Sequence, residues 1–178
     1  MNKSGRFVAF SDPSGRRPQD YIPALQRFGV TTVVRLNKKQ YDKRKFTDAG
    51  IKHHDMYFTD GGNPSEKILQ DYLAIAREEP GTIGIHCKAG LGRTGVLNGC
   101  YIMKHYRWTA NETIAYMRIC RPGTVIGPQQ QWLKEQEPKM WREGDAWRSQ
   151  QDERAPPGDA KLLPPIPDGY FELKTAAS

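Results

Sequence analysis

A cysteine, two glycines and an arginine stand close together in the segment Ile85-His86-Cys87-Lys88-Ala89-Gly90-Leu91-Gly92-Arg93-Thr94-Gly95. Their types and spacing describe an anion cradle that carries a nucleophile. Glycines allow backbone geometry in which successive N–H groups point at one spot. A helix predicted to follow directs its positive N-terminal end at the same spot. Arg93 can hold two phosphate oxygens with its planar fork, which a lysine cannot do. The field that favours an anion also favours a thiolate, so Cys87 is expected to be ionised near neutral pH and nucleophilic. An ATP-binding loop is excluded, because Gly-Arg-Thr stands where that loop needs Gly-Lys-Ser/Thr. The other cysteines, Cys100 and Cys120, lack such a setting and read as buried, inert thiols. His86 is placed to support the loop through hydrogen bonds, and a general-base role for it is redundant if the loop already stabilises the thiolate.

The elements that must position this segment alternate. Phe7–Phe10, Thr31–Leu36, His54–Phe58 and Thr82–His86 read as strands from their apolar and β-branched runs. Helices are predicted over Asp20–Phe28, stopped by Gly29, and over Tyr41–Ala49, stopped by Gly50. A third runs from the Asn63-Pro64-Ser65-Glu66 start to Glu79. Residues 93–106 read as a buried helix. Thr109 and Glu112 form a capping box for a helix reaching about Arg121, and Pro128 opens another through Trp132 and Leu133. Alternation of this kind predicts an α/β domain with a central, mostly parallel sheet flanked by helices. The phosphate-binding loop then lies between a strand and a helix, at the carboxyl end of the sheet where such folds bind ligands.

The 178 residues suffice for one domain, able to bury about 70% of its unfolded surface without disulfides. No apolar run is long enough for a membrane span, and the start MNKSGRFVAF lacks a secretory signal. Three cysteines make no disulfide framework. An intracellular chain, cytoplasmic or nuclear, is therefore expected. Residues 1–137 hold 21 Lys/Arg and 13 Asp/Glu, or +8, whereas residues 138–178 hold 6 and 7, or −1. Six of the thirteen prolines, Pro138 among them, lie in that second part. A basic domain over 1–150 and a Pro-rich extension over 151–178 are expected. That extension is either extended or packed back through Leu162, Leu163, Ile166, Tyr170 and Phe171. The positive excess points to an anionic partner. The most basic stretch, 35–52, reads as a solvated helix face. Few aromatics interleave with its charges, which argues against a nucleic-acid platform. Nothing in the residue pattern points to an oligomeric state.

Cys-x5-Arg followed by Thr is the signature of the cysteine-dependent protein tyrosine and dual-specificity phosphatases. Several further segments resemble the catalytic domain of the cell-division-cycle-fourteen phosphatases, the dual-specificity enzymes of mitotic exit. They are His86–Gly95, Cys100–Arg107 and Arg118–Gln130, with weaker likeness in Phe7–Phe10, Thr31–Lys38, Phe46–His54 and Asp60-Gly61. The resemblance runs over about residues 6–148 and implies the protein tyrosine phosphatase fold.

Hydrolysis of a phosphomonoester through cysteine also needs an acid to protonate the departing oxygen. Asp60, in Phe58-Thr59-Asp60-Gly61-Gly62, is one candidate, although Asp-Gly is also an ordinary turn. Asp55 is the rival. The resemblance implies that Asp60 is the general acid, and that Gln129 or Gln130 orients the water that cleaves the phosphocysteine. Thr94 is a candidate donor to the thiolate as it leaves. The loop residues Lys88, Ala89, Gly90, Leu91 and Gly92, with Arg93, are expected to bind the phosphate. No metal or cofactor is expected, and His53-His54 lack partners at zinc spacing. Phosphorylated proteins, carrying phosphotyrosine and/or phosphoserine/threonine, are the expected substrates. The resembled enzymes carry a second, N-terminal phosphatase-like domain, and an acidic groove between the two domains helps select phosphoserine-proline peptides with a basic residue beyond. This chain starts just before the catalytic half, so that groove is expected to be missing or rebuilt, and a basic domain suits basic peptides poorly. Anionic lipid is the second reading: phosphoinositide phosphatases of the tumour-suppressor type have a similar loop with two lysines, one of which is Leu91 here. Messenger-RNA capping triphosphatases share the Cys-x5-Arg chemistry but differ in the loop. A non-catalytic phosphoprotein-binding module would need Cys87, Arg93 or Asp60 to be lost.

Overall fold

A computed structural model describes residues 6–15 and 17–152. The expected extension over 153–178 lies outside the described residues. The chain order is β1 (Phe7–Phe10), α1 (Ile22–Arg27), β2 (Val30–Arg35), α2 (Arg44–Thr47), β3 (Lys52–Asp55), α3 (Glu66–Glu78), β4 (Thr82–His86), α4 (Gly92–Tyr106), α5 (Ala110–Cys120) and α6 (Gln129–Asp152). The strands form one parallel sheet in the order β1-β4-β2-β3, with Phe10 opposite His86, and Arg35 opposite both His86 and Asp55. The last strand among the described residues is thus inserted between the first two. Their carboxyl ends open a crevice on either side of it, the position at which open α/β sheets take ligands.

Side chains alternate across the sheet, apart from an irregularity in β2 between Val30 and Thr32. Phe7, Val34, Ile83 and Ile85 enter a large core with Leu69, Tyr72, Leu97, Ile102, Met117 and Leu133 from α3–α6. Val8, Phe10, Val30 and Val33 face a smaller core with Leu25, Phe46 and Ile51. Because both faces are covered, β1, β2 and β4 read as continuous apolar runs.

The edge strand β3 does not. It is four polar residues, and it lies two residues earlier than the expected strand His54–Phe58. An edge strand has one partner and one exposed side, so polar residues suffice for it. The apolar Met56 and Phe58 instead turn into the core beyond the strand, with Met56 N donating to Arg35 O at 2.9 Å and Phe58 N to Leu36 O at 3.3 Å. The expected helix Asp20–Phe28 divides into a 3-10 turn, Pro18–Tyr21, and α1. The expected helix Tyr41–Ala49 is only α2, because Tyr41 O is taken by Arg35 Nη1 at 2.7 Å and Asp42 caps Arg44 N at 3.0 Å. The capping box at Thr109 and Glu112 is formed.

Two readings from composition are corrected by packing. The stretch 35–52 is not one solvated helix face: Arg35 is 1% exposed, stacks 4.4 Å over the Tyr41 ring and pairs with Asp55. Pro138, counted above with the tail, lies inside the 24-residue α6. A proline there removes one helical hydrogen bond. The helix continues because Leu133 and Met140 are fully buried on either side, Leu133 packing over Gly99 of α4. No helix among the described residues is long and apolar enough to cross a membrane.

Candidate active site

Cys87 is the residue after β4, 2% exposed, and its Sγ accepts a hydrogen bond from Gly90 N at 3.2 Å. The loop around it is turned by its carbonyls. Lys88 O accepts from Asp12 N at 3.0 Å. Ala89 O and Gly90 O accept from Arg121 Nη2 and Nε at 2.8 and 3.1 Å. Across a planar trans peptide the N–H points opposite to the carbonyl. With three carbonyls tied outward, the N–H groups of Ala89, Gly90 and Leu91 face inward. Gly90 has φ +69°, and a Cβ there would sit 2.2 Å from Phe10 O, so only glycine fits. Gly92 begins α4, and the helix N-terminus closes the loop.

Arg121 was read from sequence only as the end of a helix. Its partners lie about thirty residues away in the chain, and no local pattern signals them. The neighbouring segment is held in the same manner. Arg118 donates to Thr124 O and Val125 O at 3.0 and 2.9 Å, while Val125 N reaches Leu91 O at 3.3 Å. Val125 takes φ +62°, a costly conformation for a β-branched residue that these contacts maintain.

Arg93, in the first turn of α4, is 3% exposed. Its Nη1 donates to Leu36 O at 3.2 Å, directly after β2, and to Phe58 O at 3.0 Å, in the segment that follows β3. Its Nη2 lies 3.1 Å from Asp60 Oδ1. Nε is buried and has no hydrogen-bond partner. A buried guanidinium donor without a partner is costly in an apolar setting and marks a place for an acceptor.

Asp60 is 69% exposed, on a turn closed by Gly62 N to Thr59 O at 3.0 Å. It lines the same pocket as Arg93 and Lys88. Asp55 points elsewhere, with Oδ1 2.6 Å from Arg35 Nε. Burial works to raise the Asp55 carboxyl, but the Arg35 hydrogen bond and charge outweigh it and hold it below the usual range. The two aspartates that the sequence left open are therefore separated by geometry.

The glutamines are separated too. Gln129 is fully buried, its Nε2 donating to Gly62 O at 2.9 Å and its Oε1 accepting from Ile126 N at 3.2 Å. A Cβ on Gly92 would lie 2.9 Å from that Oε1, so Gln129 joins the turn that carries Asp60 to the loop that follows Cys87. Gln130 is half-buried and donates to Gly127 O at 3.4 Å. Thr94 Oγ1 is buried without a partner, so the bond to Cys87 Sγ suggested by sequence is not made in this conformation.

His86 supports the loop from below. Its Nδ1 lies 3.2 Å from Cys87 O and its Nε2 2.7 Å from Tyr41 Oη, which also meets His53 Nε2 at 2.9 Å. Burial pushes His86 down to about 4, so it is neutral near pH 7. Cys100 is fully buried and its thiol is pushed up by that burial, whereas Cys120 is only half-buried.

Residues 16–139 match the family described as dual specificity phosphatase, catalytic domain. The chain belongs to that family. It is 53% identical over 153 residues to the dual specificity protein phosphatase CDC14B of Mus musculus, an alignment covering 80% of this chain and 32% of that protein. It is 44% identical over 146 residues to the tyrosine-protein phosphatase CDC14 homolog of Schizosaccharomyces pombe, covering 73% of this chain and 27% of that one. The chain thus spans about a third of these relatives. Among solved structures, a mutant form of Tk-PTP aligns with TM-score 0.66 at 28% identity, over 76% of this chain and 92% of that one. The structure of DUSP15, at 14% identity and TM-score 0.60, shares the fold. The protein tyrosine phosphatase fold expected from sequence is the fold found.

Proposed function

We propose that this chain is a cysteine-dependent protein phosphatase, hydrolysing phosphotyrosine and/or phosphoserine/threonine monoesters through a phosphocysteine. The observation that carries the reading is that one loop, its carbonyls tied outward, begins at a buried Cys87 and ends at Arg93, whose buried Nε has no partner. In the first step the Cys87 thiolate attacks phosphorus and the bond to the leaving oxygen breaks. Arg93 and the inward amides hold the non-bridging oxygens as charge moves onto them. Asp60 gives its proton to the departing oxygen. In the second step water attacks the phosphocysteine and the sulfur–phosphorus bond breaks. Asp60 takes the water's proton, and inorganic phosphate and the thiolate are released. We assign Gln129 or Gln130 to orienting that water. Thr94, whose hydroxyl has no competing bond, is assigned as donor to the departing thiolate.

The test is turnover of an aryl phosphate by the purified chain and its Cys87→Ser variant. Loss of turnover in the variant, with folding intact by circular dichroism, is expected. Retained turnover would refute the thiolate mechanism.

A further inference from the structure

Three side chains form a hydrogen-bonded series from the edge of the sheet to the nucleophile. His53 lies on the edge strand β3, Tyr41 between β2 and α2, and His86 at the end of β4. His53 Nε2 is 2.9 Å from Tyr41 Oη, and Tyr41 Oη is 2.7 Å from His86 Nε2. His86 Nδ1 is 3.2 Å from Cys87 O and 3.8 Å from Asp12 Oδ2. Tyr41 and His86 are buried, and His53 is half-buried.

Each member has one proton to place. Burial lowers both imidazoles to about 4, so near pH 7 each is neutral and has one N–H. Burial raises the Tyr41 phenol, outweighing the opposite pull of Arg35, which stacks over its ring and is tied to Asp55. The hydroxyl therefore keeps its proton. Two directions of donation are open, and the ends of the series choose between them. His86 Nδ1 faces two acceptors, the Cys87 carbonyl and Asp12 Oδ2, the second of which also accepts from Asn37 Nδ2 at 2.6 Å. A bare nitrogen there would meet only lone pairs, so the proton belongs on Nδ1 and Nε2 accepts from Tyr41. At the other end, His53 Nδ1 is buried without a partner among the described residues. A buried N–H with no acceptor is costly, so the His53 proton belongs on Nε2, where Tyr41 Oη accepts it. Both ends give one order: His53 to Tyr41 to His86 to Cys87 O.

That last bond extends the outward tying of the loop by one residue. Lys88 O is held by Asp12, and Ala89 O and Gly90 O by Arg121. Fixing Cys87 O likewise sets the direction of Lys88 N–H across the planar peptide. We propose that His53 is a positioning residue for the nucleophile, its Nε2–H ordering the series so that His86 holds the Cys87 carbonyl. The inference rests on the reading of Cys87 as nucleophile and extends it to a residue on the sheet's edge strand.

The experiment combines nitrogen NMR of the His86 ring with the pH profile of Cys87 alkylation by iodoacetamide. In the unaltered chain the proton is expected on His86 Nδ1. His53→Phe keeps an aromatic ring and removes the donor. It should give a mixture of His86 tautomers, raise the alkylation midpoint by about half a unit and lower kcat/KM by about threefold. His53→Gln, whose amide can donate to Tyr41 Oη, should restore the tautomer and most of the rate, which a role in packing would not require. A proton on His86 Nε2 in the unaltered chain would overturn the proposal, and that measurement needs no variant to fold. So would an unmoved tautomer and midpoint in His53→Phe, or a His53→Gln no better than His53→Phe. Absence of aryl phosphate turnover would strike the phosphatase reading instead, while the tautomers and the alkylation profile still decide the role of His53.

Discussion

The phosphate loop and the acid loop face one pocket and are built on opposite plans. Between Cys87 and Gly92, three carbonyls are bonded by Asp12 and Arg121, Gly90 is pressed against Phe10 and Cys87 is 2% exposed. Between Tyr57 and Gly62, Asp60 is 69% exposed and is held by Arg93. The contrast fits the two tasks proposed for them. A cradle for developing charge gains most when its donors are oriented before the substrate arrives, since nothing then has to reorganise during reaction. An acid must meet a leaving oxygen whose position changes from one substrate to the next, so a rigid burial would not serve it. Gln129 is the bridge between the plans, bonded to Gly62 of one and packed on Gly92 of the other.

The comparison can be broken at its stiff end first. Arg93→Lys keeps the charge and removes the fork, and should lower kcat/KM by about 10²–10³-fold on every substrate, with vanadate binding weakened in parallel. A loss confined to one substrate class would show that the cradle is not shared. Next is the acid. Asp60→Asn should slow phosphoserine peptides by about 10²-fold or more, and a nitrophenyl phosphate, whose leaving group needs little protonation, far less. Asp55→Asn should leave that difference intact. Equal losses in Asp60→Asn on both substrates would take the acid role away from Asp60.

Arg121 tests whether the loop is prepared from outside the pocket. Arg121→Met leaves Ala89 O and Gly90 O without their donors, and should cost about tenfold in kcat/KM and weaken vanadate binding. Arg121→Lys should restore part of this. If iodoacetamide alkylation of Cys87 keeps an unchanged pH profile in both variants, the arginine is merely structural.

The smallest expected effect comes from the histidines below the sheet's carboxyl end and in the last turn of α4. Burial lowers His53, His86 and His105 from 6.5 to about 4. Between those values the unfolded chain binds protons that the folded chain does not, so stability is complete above 6.5 and declines as pH falls toward 4. The urea midpoint should drop over that window, and drop less in His105→Gln. A flat midpoint would contradict neutral, buried imidazoles.

The parts of this molecule legible in its sequence are those in which neighbours along the chain do the work. The cysteine-to-arginine loop, the apolar runs of β1, β2 and β4 and the capping box of α5 depend on residues a few positions apart. Periodicity and local hydrogen bonding therefore report them. The polar edge strand β3 was misplaced by two residues because an edge needs no apolar pattern. Arg35 was read as solvated because its partners, Asp55 and the Tyr41 ring, come from a different strand and the following loop.

Sequence alone was enough to give the class of fold and to propose Cys87 as nucleophile and Arg93 as phosphate ligand, since a phosphate cradle is a local turn between one strand and one helix. Only the tertiary structure could separate Asp60 from Asp55, set Gln129 beneath the loop, carry α6 through Pro138 and bring Arg121 onto the loop carbonyls. Each of those is a contact between segments far apart in the chain, decided by how β4 is inserted between β1 and β2 and by which helices pack against that sheet.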